Sequence, residues 1–212
     1  MIKLVKGNKL IEEKPENFRE TLRKYQKTHI DLGTGNGRFV YKNAIANKNS
    51  LYIGIDPNEK QLQEYSKKAV RSKVQNVMFV LASLENLPEE LENIADTVTI
   101  NLPWGSLLQA VAKPNETQLN FIKNLLKPRG TLEIIFGYTN EAEPTEFERL
   151  NLEHLNKEQI LEQIVPEFEK VNFRLKQIDE LNKKELSKVE SSWGKKLAYG
   201  QQRPLFKLIF QS

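Results

Sequence analysis

Between residues 28 and 136 the chain changes period repeatedly, and that alternation limits the folds open to it. Short apolar runs at His29-Ile30-Asp31-Leu32, Leu51 to Ile55, Val77 to Leu81, Ala95 to Asn101 and Thr131 to Phe136 read as strands. Between them, Arg38 to about Asn47, Glu59 to Ser72 and Gln118 to Leu126 carry apolar residues at helical spacing. Strands that alternate with helices require a mostly parallel sheet with helices on both faces. Two further strands are expected at Arg174 to Ile178 and Arg203 to Phe210, after a helix over Lys157 to Val171. The sequence therefore predicts an α/β fold with a mostly parallel seven-stranded sheet of Rossmann-like type.

The ends extend this core without adding a second domain. Residues 1–10 alternate apolar and polar around Gly7-Asn8, which predicts a hairpin, and Phe18, Leu22 and Tyr25 follow Pro15 at helical spacing. Residues 1–212 are read as one domain, with 1–26 as an N-terminal hairpin and helix extension. Residues 140–155 are acidic and aperiodic, and are the candidate for a long functional loop.

Composition narrows the chemistry. The chain has no cysteine and two histidines, so Cys-ligated zinc, thiol catalysis and multi-His metal sites are not expected, and no metal is assigned. No run of about 18 uncharged apolar residues exists, and the N-terminus does not read as a signal peptide. A cytoplasmic protein is expected. The net charge of +4 matters less than its distribution. Lys60, Lys67, Lys68, Arg71 and Lys73 form one basic cluster, and Lys183, Lys184, Lys188, Lys195, Lys196, Arg203 and Lys207 another, with an acidic stretch from Glu85 to Asp96 between. That segregation favours a face that binds a polyanion over scattered solvated lysines.

The first strand runs into Asp31-Leu32-Gly33-Thr34-Gly35-Asn36-Gly37. Glycines there allow a tight turn and close approach of a ligand. The third glycine comes too early for a dinucleotide fingerprint, and Asp31 would repel a pyrophosphate. Asp31 instead suits a cation, such as the amino group and sulfonium of S-adenosylmethionine (SAM). Asp56, followed by Pro57 at the end of the next strand, can accept ribose hydroxyls. Leu84 and Glu85 follow the third strand, where an adenine ring would lie. This order matches class I SAM-dependent methyltransferases. The expected cofactor-binding set is Asp31, Gly33, Thr34, Gly35, Asn36, Asp56, Pro57, Leu84, Glu85 and Asn101, with S-adenosylhomocysteine as the product.

Asn101-Leu102-Pro103-Trp104 closes the fourth strand. Proline fixes the backbone, and an aromatic ring offers a face on which a base can stack. A core tryptophan beside an incidental proline is the ordinary alternative. Trp193 lies in Ser191-Ser192-Trp193-Gly194-Lys195-Lys196, a polar and basic setting. The two tryptophans could sandwich a flipped base. N1 of adenine has a free lone pair at neutral pH, so its methylation needs alignment and desolvation, not a general base. N6 methylation would favour a proton acceptor, for which Asn101 and the Leu102 carbonyl are available, so the pattern leaves both open.

These segments resemble the 16S ribosomal RNA adenine-1408 N1-methyltransferases of the NpmA type, which give aminoglycoside resistance. The likeness runs through His29 to Gly35, Tyr52 to Pro57, Asn93 to Asp96, Pro103 to Leu108 and Ser192 to Gly200, and covers nearly the whole chain. It implies that Trp104 and Trp193 hold the flipped adenine, with Pro103 and Ser191 beside it. It implies SAM contacts at Asp31, Asp56 and the glycine loop, with Glu85 near the cofactor adenine. It implies RNA contacts at Lys67, Lys68, Arg71, Arg149, Lys195, Lys196 and Arg203, and 16S rRNA in the 30S subunit as the partner; a monomer is the simplest expectation for docking on so large a substrate. Asn36 stands where an Asp is expected, and Gln201-Gln202-Arg203 is less basic than the family version. Three other readings compete: a tRNA guanine-N7 methyltransferase, a small-molecule methyltransferase and a non-enzymatic RNA-binding protein.

Overall fold

The computed structural model describes residues 1–182 and 204–212. Its sheet is built in chain order from β1 (Ile2–Lys6), β2 (Lys9–Glu13), β3 (Lys27–Leu32), β4 (Ser50–Asp56), β5 (Val77–Leu81), β6 (Ala95–Asn101), β7 (Leu126–Phe136), β8 (Arg174–Glu180) and β9 (Phe206–Gln211). The spatial order is β2-β1-β5-β4-β3-β6-β7-β9-β8. Strands β3 to β7 pair in parallel, and β9 is antiparallel to both β7 and β8. These seven strands are the expected sheet. The N-terminal hairpin adds the other two by pairing Leu4 with Val80 at the β5 edge.

Helices α1 (Pro15–Leu22), α2 (Arg38–Ala46), α3 (Glu59–Arg71), α4 (Ser106–Ala112), α5 (Glu116–Leu125), α6 (Pro144–Arg149), α7 (Lys157–Gln159) and α8 (Val165–Lys170) complete the fold, with a π-helical turn at Ile160–Ile164 between the last two. Alternation along the central strands separates two apolar layers. Ile30, Ile53, Val98, Ile100 and Leu132 face one layer with Leu119, Ile122 and Phe168. Tyr52, Val77 and Phe79 face the other, with Val40, Tyr41, Leu62 and Tyr65. Asn58 caps α3 and Asn115 caps α5, each accepting from a backbone N–H in the first turn.

The hairpin is tied down by one side chain. Ser66 Oγ on α3 donates to the Val5 carbonyl at 2.7 Å and accepts from the Gly7 amide at 2.8 Å. The two groups that β1 leaves unpaired at the turn are thereby satisfied.

One expectation changes. Residues 140–155 are partly helical, because α6 forms there and Glu143, Glu146, Leu152 and Leu155 are buried. The acidic composition hid this: the Glu146 carboxylate is held by Arg149, at 3.3 Å from Nε and 2.7 Å from Nη2. Strand β7 carries an irregularity at Lys127 to Gly130, with Arg129 at φ 65° and the register against β6 jumping there.

Candidate active site

The strand order reverses between β3 and β6, and the loops after these two strands part and leave a crevice at their carboxyl ends. A cleft of about 950 Å³ opens there. It brings together Asp31, Gly33, Thr34, Gly35 and Asn36 from the β3 loop, Asp56 and Pro57 from the end of β4, Leu84 after β5, and Asn101, Pro103 and Trp104 after β6. Residues far apart in the chain thus meet because parallel strands end at one edge.

The glycine loop is shaped by packing. The amides of Gly33 and Thr34 both donate to the Ile55 carbonyl at 2.9 Å, folding the loop back over β4. Gly37 has φ 78°, and a Cβ there would fall 2.3 Å from the Phe79 ring. Asp56 is fixed by the same loop: its Oδ2 accepts from the Gly35 amide at 2.9 Å and its Oδ1 from the Asn58 amide at 2.8 Å. Burial pushes its carboxyl up, and those two amides work downward.

Asp31 is buried at 2% exposure beneath the loop. Its Oδ1 accepts from the Thr99 hydroxyl at 2.6 Å and from Asn101 Nδ2 at 2.9 Å. Burial pushes its carboxyl up to about 6, against the hydrogen bonds that favour the ion. Asn101, itself at the cleft wall, thus also holds Asp31.

After β6 the backbone is strained. Leu102 has φ 54°, an uncommon value for leucine and more so before a proline. Its amide donates to the Ile135 carbonyl at 2.7 Å, which holds the turn. Gly105 has φ 62° and ψ −133°, a conformation only glycine adopts readily. Between these two residues Trp104 stands 57% exposed at the cleft. A core role for Trp104 is thereby set aside.

Other expected residues fall differently. Glu85 is not among the residues lining the cleft. Burial works upward on its carboxyl, but bonds from its own amide, Ser83 and Ser106 outweigh this and hold it low. Lys67, Lys68 and Arg71 lie on α3 as expected, yet the Lys68 ammonium is already 3.1 Å from Glu64 and 3.8 Å over the Tyr65 ring. Arg149 is paired with Glu146. Ser191, Trp193, Lys195, Lys196 and Arg203 lie outside the described residues. The sequence reading missed Arg38, Lys60, Gln61, Glu64, Ser83 and Leu107 in the cleft wall. Gln61 and Glu64 come from the first turns of α3, and periodicity says only that they are off the buried face. Among the described residues no group of three or more His, Cys, Asp or Glu could hold a metal, and no helix is long and apolar enough to cross a membrane.

Comparison with known proteins decides the family. The family model NpmA, 16S rRNA (adenine(1408)-N(1))-methyltransferase, matches residues 3–209. The chain belongs to this family. It is 37% identical over 210 residues to the 16S rRNA (adenine(1408)-N(1))-methyltransferase of Escherichia coli, covering 97% of this chain and 96% of that protein. The aminoglycoside resistance methyltransferase NpmB1 superposes with a TM-score of 0.85 at 34% identity, over all of both chains. A tryptophan-to-alanine mutant of the 16S rRNA (adenine(1408)-N(1))-methyltransferase from Catenulisporales acidiphilia, solved with cosubstrate SAM, gives a TM-score of 0.89 at 25% identity, over 100% of this chain and 97% of that one. A tRNA (guanine-N(7)-)-methyltransferase of Clostridium kluyveri is 30% identical but covers only 48% of this chain. The shared half explains why that reading competed.

Proposed function

We propose that this chain uses SAM to methylate N1 of adenine 1408 in the 16S rRNA of assembled 30S subunits, in the cytoplasm and as a monomer, and so confers aminoglycoside resistance. The observation that carries the reading is an exposed tryptophan beside a cleft that holds two buried carboxylates, in a chain matched by the family model from residue 3 to residue 209.

The residues present fit SAM. A buried acid at the start of the loop suits its amino group. Asp56, fixed by two amides, has further acceptor capacity for ribose hydroxyls. Leu84, Ala82 and Leu107 supply an apolar wall for an adenine ring. Bound SAM supplies a methyl group activated by a sulfonium.

The protein orients the target and keeps water away. Trp104 offers one face to a flipped adenine, and Trp193, between β8 and β9, offers the second. Pro103 and Ser191 lie beside that site in our assignment. The N1 lone pair is free at neutral pH, so no side chain has to remove a proton from it. Alignment and desolvation carry the rate. Lys67, Lys68, Arg71, Arg149, Lys195, Lys196 and Arg203 are assigned to rRNA phosphates. Lys68 and Arg149 would exchange their carboxylate partners for phosphate on docking, which lowers what each adds.

The test is incubation with tritiated SAM and 30S subunits, free 16S rRNA or bulk tRNA, followed by primer extension. Label in 30S with a stop at adenine 1408 is expected, since an N1-methyl group blocks base pairing. Label in tRNA, or none in 30S, overturns the proposal.

A further inference from the structure

Three polar side chains form a row on the sheet face that α2 covers. The His29 Nε2 atom lies 3.1 Å from the Thr99 hydroxyl, and that hydroxyl lies 2.6 Å from Asp31 Oδ1. Sheet register produces the row. Asp31 pairs with Thr99 across β3 and β6, and His29 precedes Asp31 by two residues, so all three side chains point to one face.

The chain of protons has a fixed direction. A threonine hydroxyl has one proton, and an ionised carboxylate only accepts. At 2.6 Å the Thr99 proton goes to Asp31, so the hydroxyl accepts from His29, which must carry its proton on Nε2. The imidazole is held neutral by burial, which lowers its titration to about 4, with Glu133 acting the other way. Its ring is wedged 5.3 Å from Tyr52 and 5.7 Å from Phe39, which fixes its orientation. Each donor in such a chain polarises the next.

We propose that His29 and Thr99 are positioning residues that act through Asp31, keeping its carboxylate ionised and aimed at the cationic amine of the cosubstrate. The inference rests on the SAM reading above. A carboxylate this deeply buried needs donors to stay charged. From β6, Thr99 and Asn101 supply them; from the end of β4, the Asp56 charge opposes them; and Thr34 of the glycine loop also faces the group. Glu133 on β7 faces His29 and is itself paired with Lys207 of β9 at 2.9 Å. Burial pushes Asp31 up to about 6 against these donors, so loss of one should raise its titration further.

Binding of S-adenosylhomocysteine, measured by calorimetry between about pH 5.5 and about pH 7.5, reads this directly, below the usual range of an α-amino group. In the unaltered protein affinity should rise with pH to a plateau. Thr99→Val should raise the midpoint by about one to two pH units, so that affinity at about pH 6 falls roughly tenfold or more. Thr99→Ser keeps the hydroxyl and should restore the midpoint. His29→Phe should shift it the same way by less. A Thr99→Val protein that loses affinity by one factor at every pH, or loses none, overturns the inference. If Thr99→Val does not fold, an unmoved midpoint in His29→Phe overturns it. If the unaltered protein binds neither SAM nor S-adenosylhomocysteine, the SAM reading fails, and the inference with it.

Discussion

Gly37→Ala separates two costs that the glycine loop avoids. The first is conformational: Gly37 has φ 78°, and a side chain in the left-handed region costs about 1–2 kcal/mol. The second is steric. The new Cβ would lie 2.3 Å from Phe79 Cε1 and 2.8 Å from Cδ1. Phe79 is 3% exposed and packed in the layer with Val40, Tyr41, Leu62 and Tyr65, so its ring has nowhere to go. Overpacking of this kind costs about 1–3 kcal/mol. The sum is about 2–5 kcal/mol. In urea, with a slope of about 2 kcal/mol per molar, the unfolding midpoint should fall by about 1–2.5 M. Gly7→Ala is the control, because its φ is 67° and the nearest atom to its Cβ would be Val70 Cγ2 at 4.0 Å, an ordinary contact. It carries strain without a clash and should cost less. Adding Phe79→Leu to Gly37→Ala should recover about 1–2 kcal/mol relative to additivity. Equal midpoint shifts for Gly37→Ala and Gly7→Ala, or no coupling with Phe79, would refute the steric reasoning.

Trp104→Ala should remove a stacking contribution of about 1–3 kcal/mol and slow single-turnover methylation of 30S far more than it weakens 30S binding; equal loss in both would sink the flipped-base assignment. The affinity of the protein for 30S should fall with salt at a log–log slope near about −4 if about five cations meet phosphates, measured by filter binding. Ser66→Ala leaves the Gly7 amide and the Val5 carbonyl without their partner and should cost about 1–3 kcal/mol, visible as faster hydrogen exchange in β1 and β2. The pH dependence of stability carries two opposed contributions. The His29 pKa is depressed from 6.5 to about 4, so its contribution is lost as pH falls through that window, about 3 kcal/mol in all. The Asp31 pKa is raised from 3.8 to about 6, so the fold gains a similar amount as pH falls over nearly the same window. The two should nearly cancel, and Asp31→Asn should expose an acid sensitivity between about pH 6.5 and about pH 4 in thermal unfolding.

Much of this was legible in the chain because it is local. Apolar period separates strand from helix within a few residues, and Gly33, Gly35 and Gly37 announce a backbone that turns sharply. The hairpin, the parallel sheet, the carboxylates of Asp31 and Asp56 and the Pro103-Trp104 pair follow from such patterns. Helix α4 was missed because Ser106–Ala112 is a short apolar run in which period cannot separate helix from buried strand. In 140–155, charge suggested a solvated loop, and only the Arg149 partner explains how Glu146 sits buried.

What sequence alone determined is the alternation of elements and the residue types at each strand end. The tertiary structure decided which of those ends meet. The cleft exists because the sheet reverses its strand order between β3 and β6. Thr99 reaches Asp31, 68 residues away, because register sets them side by side. Whether Trp104 is core or exposed depended on the backbone strain at Leu102 and Gly105 that turns it outward. Those facts are long-range pairings and local strain, and neither has a period that a linear reading can detect.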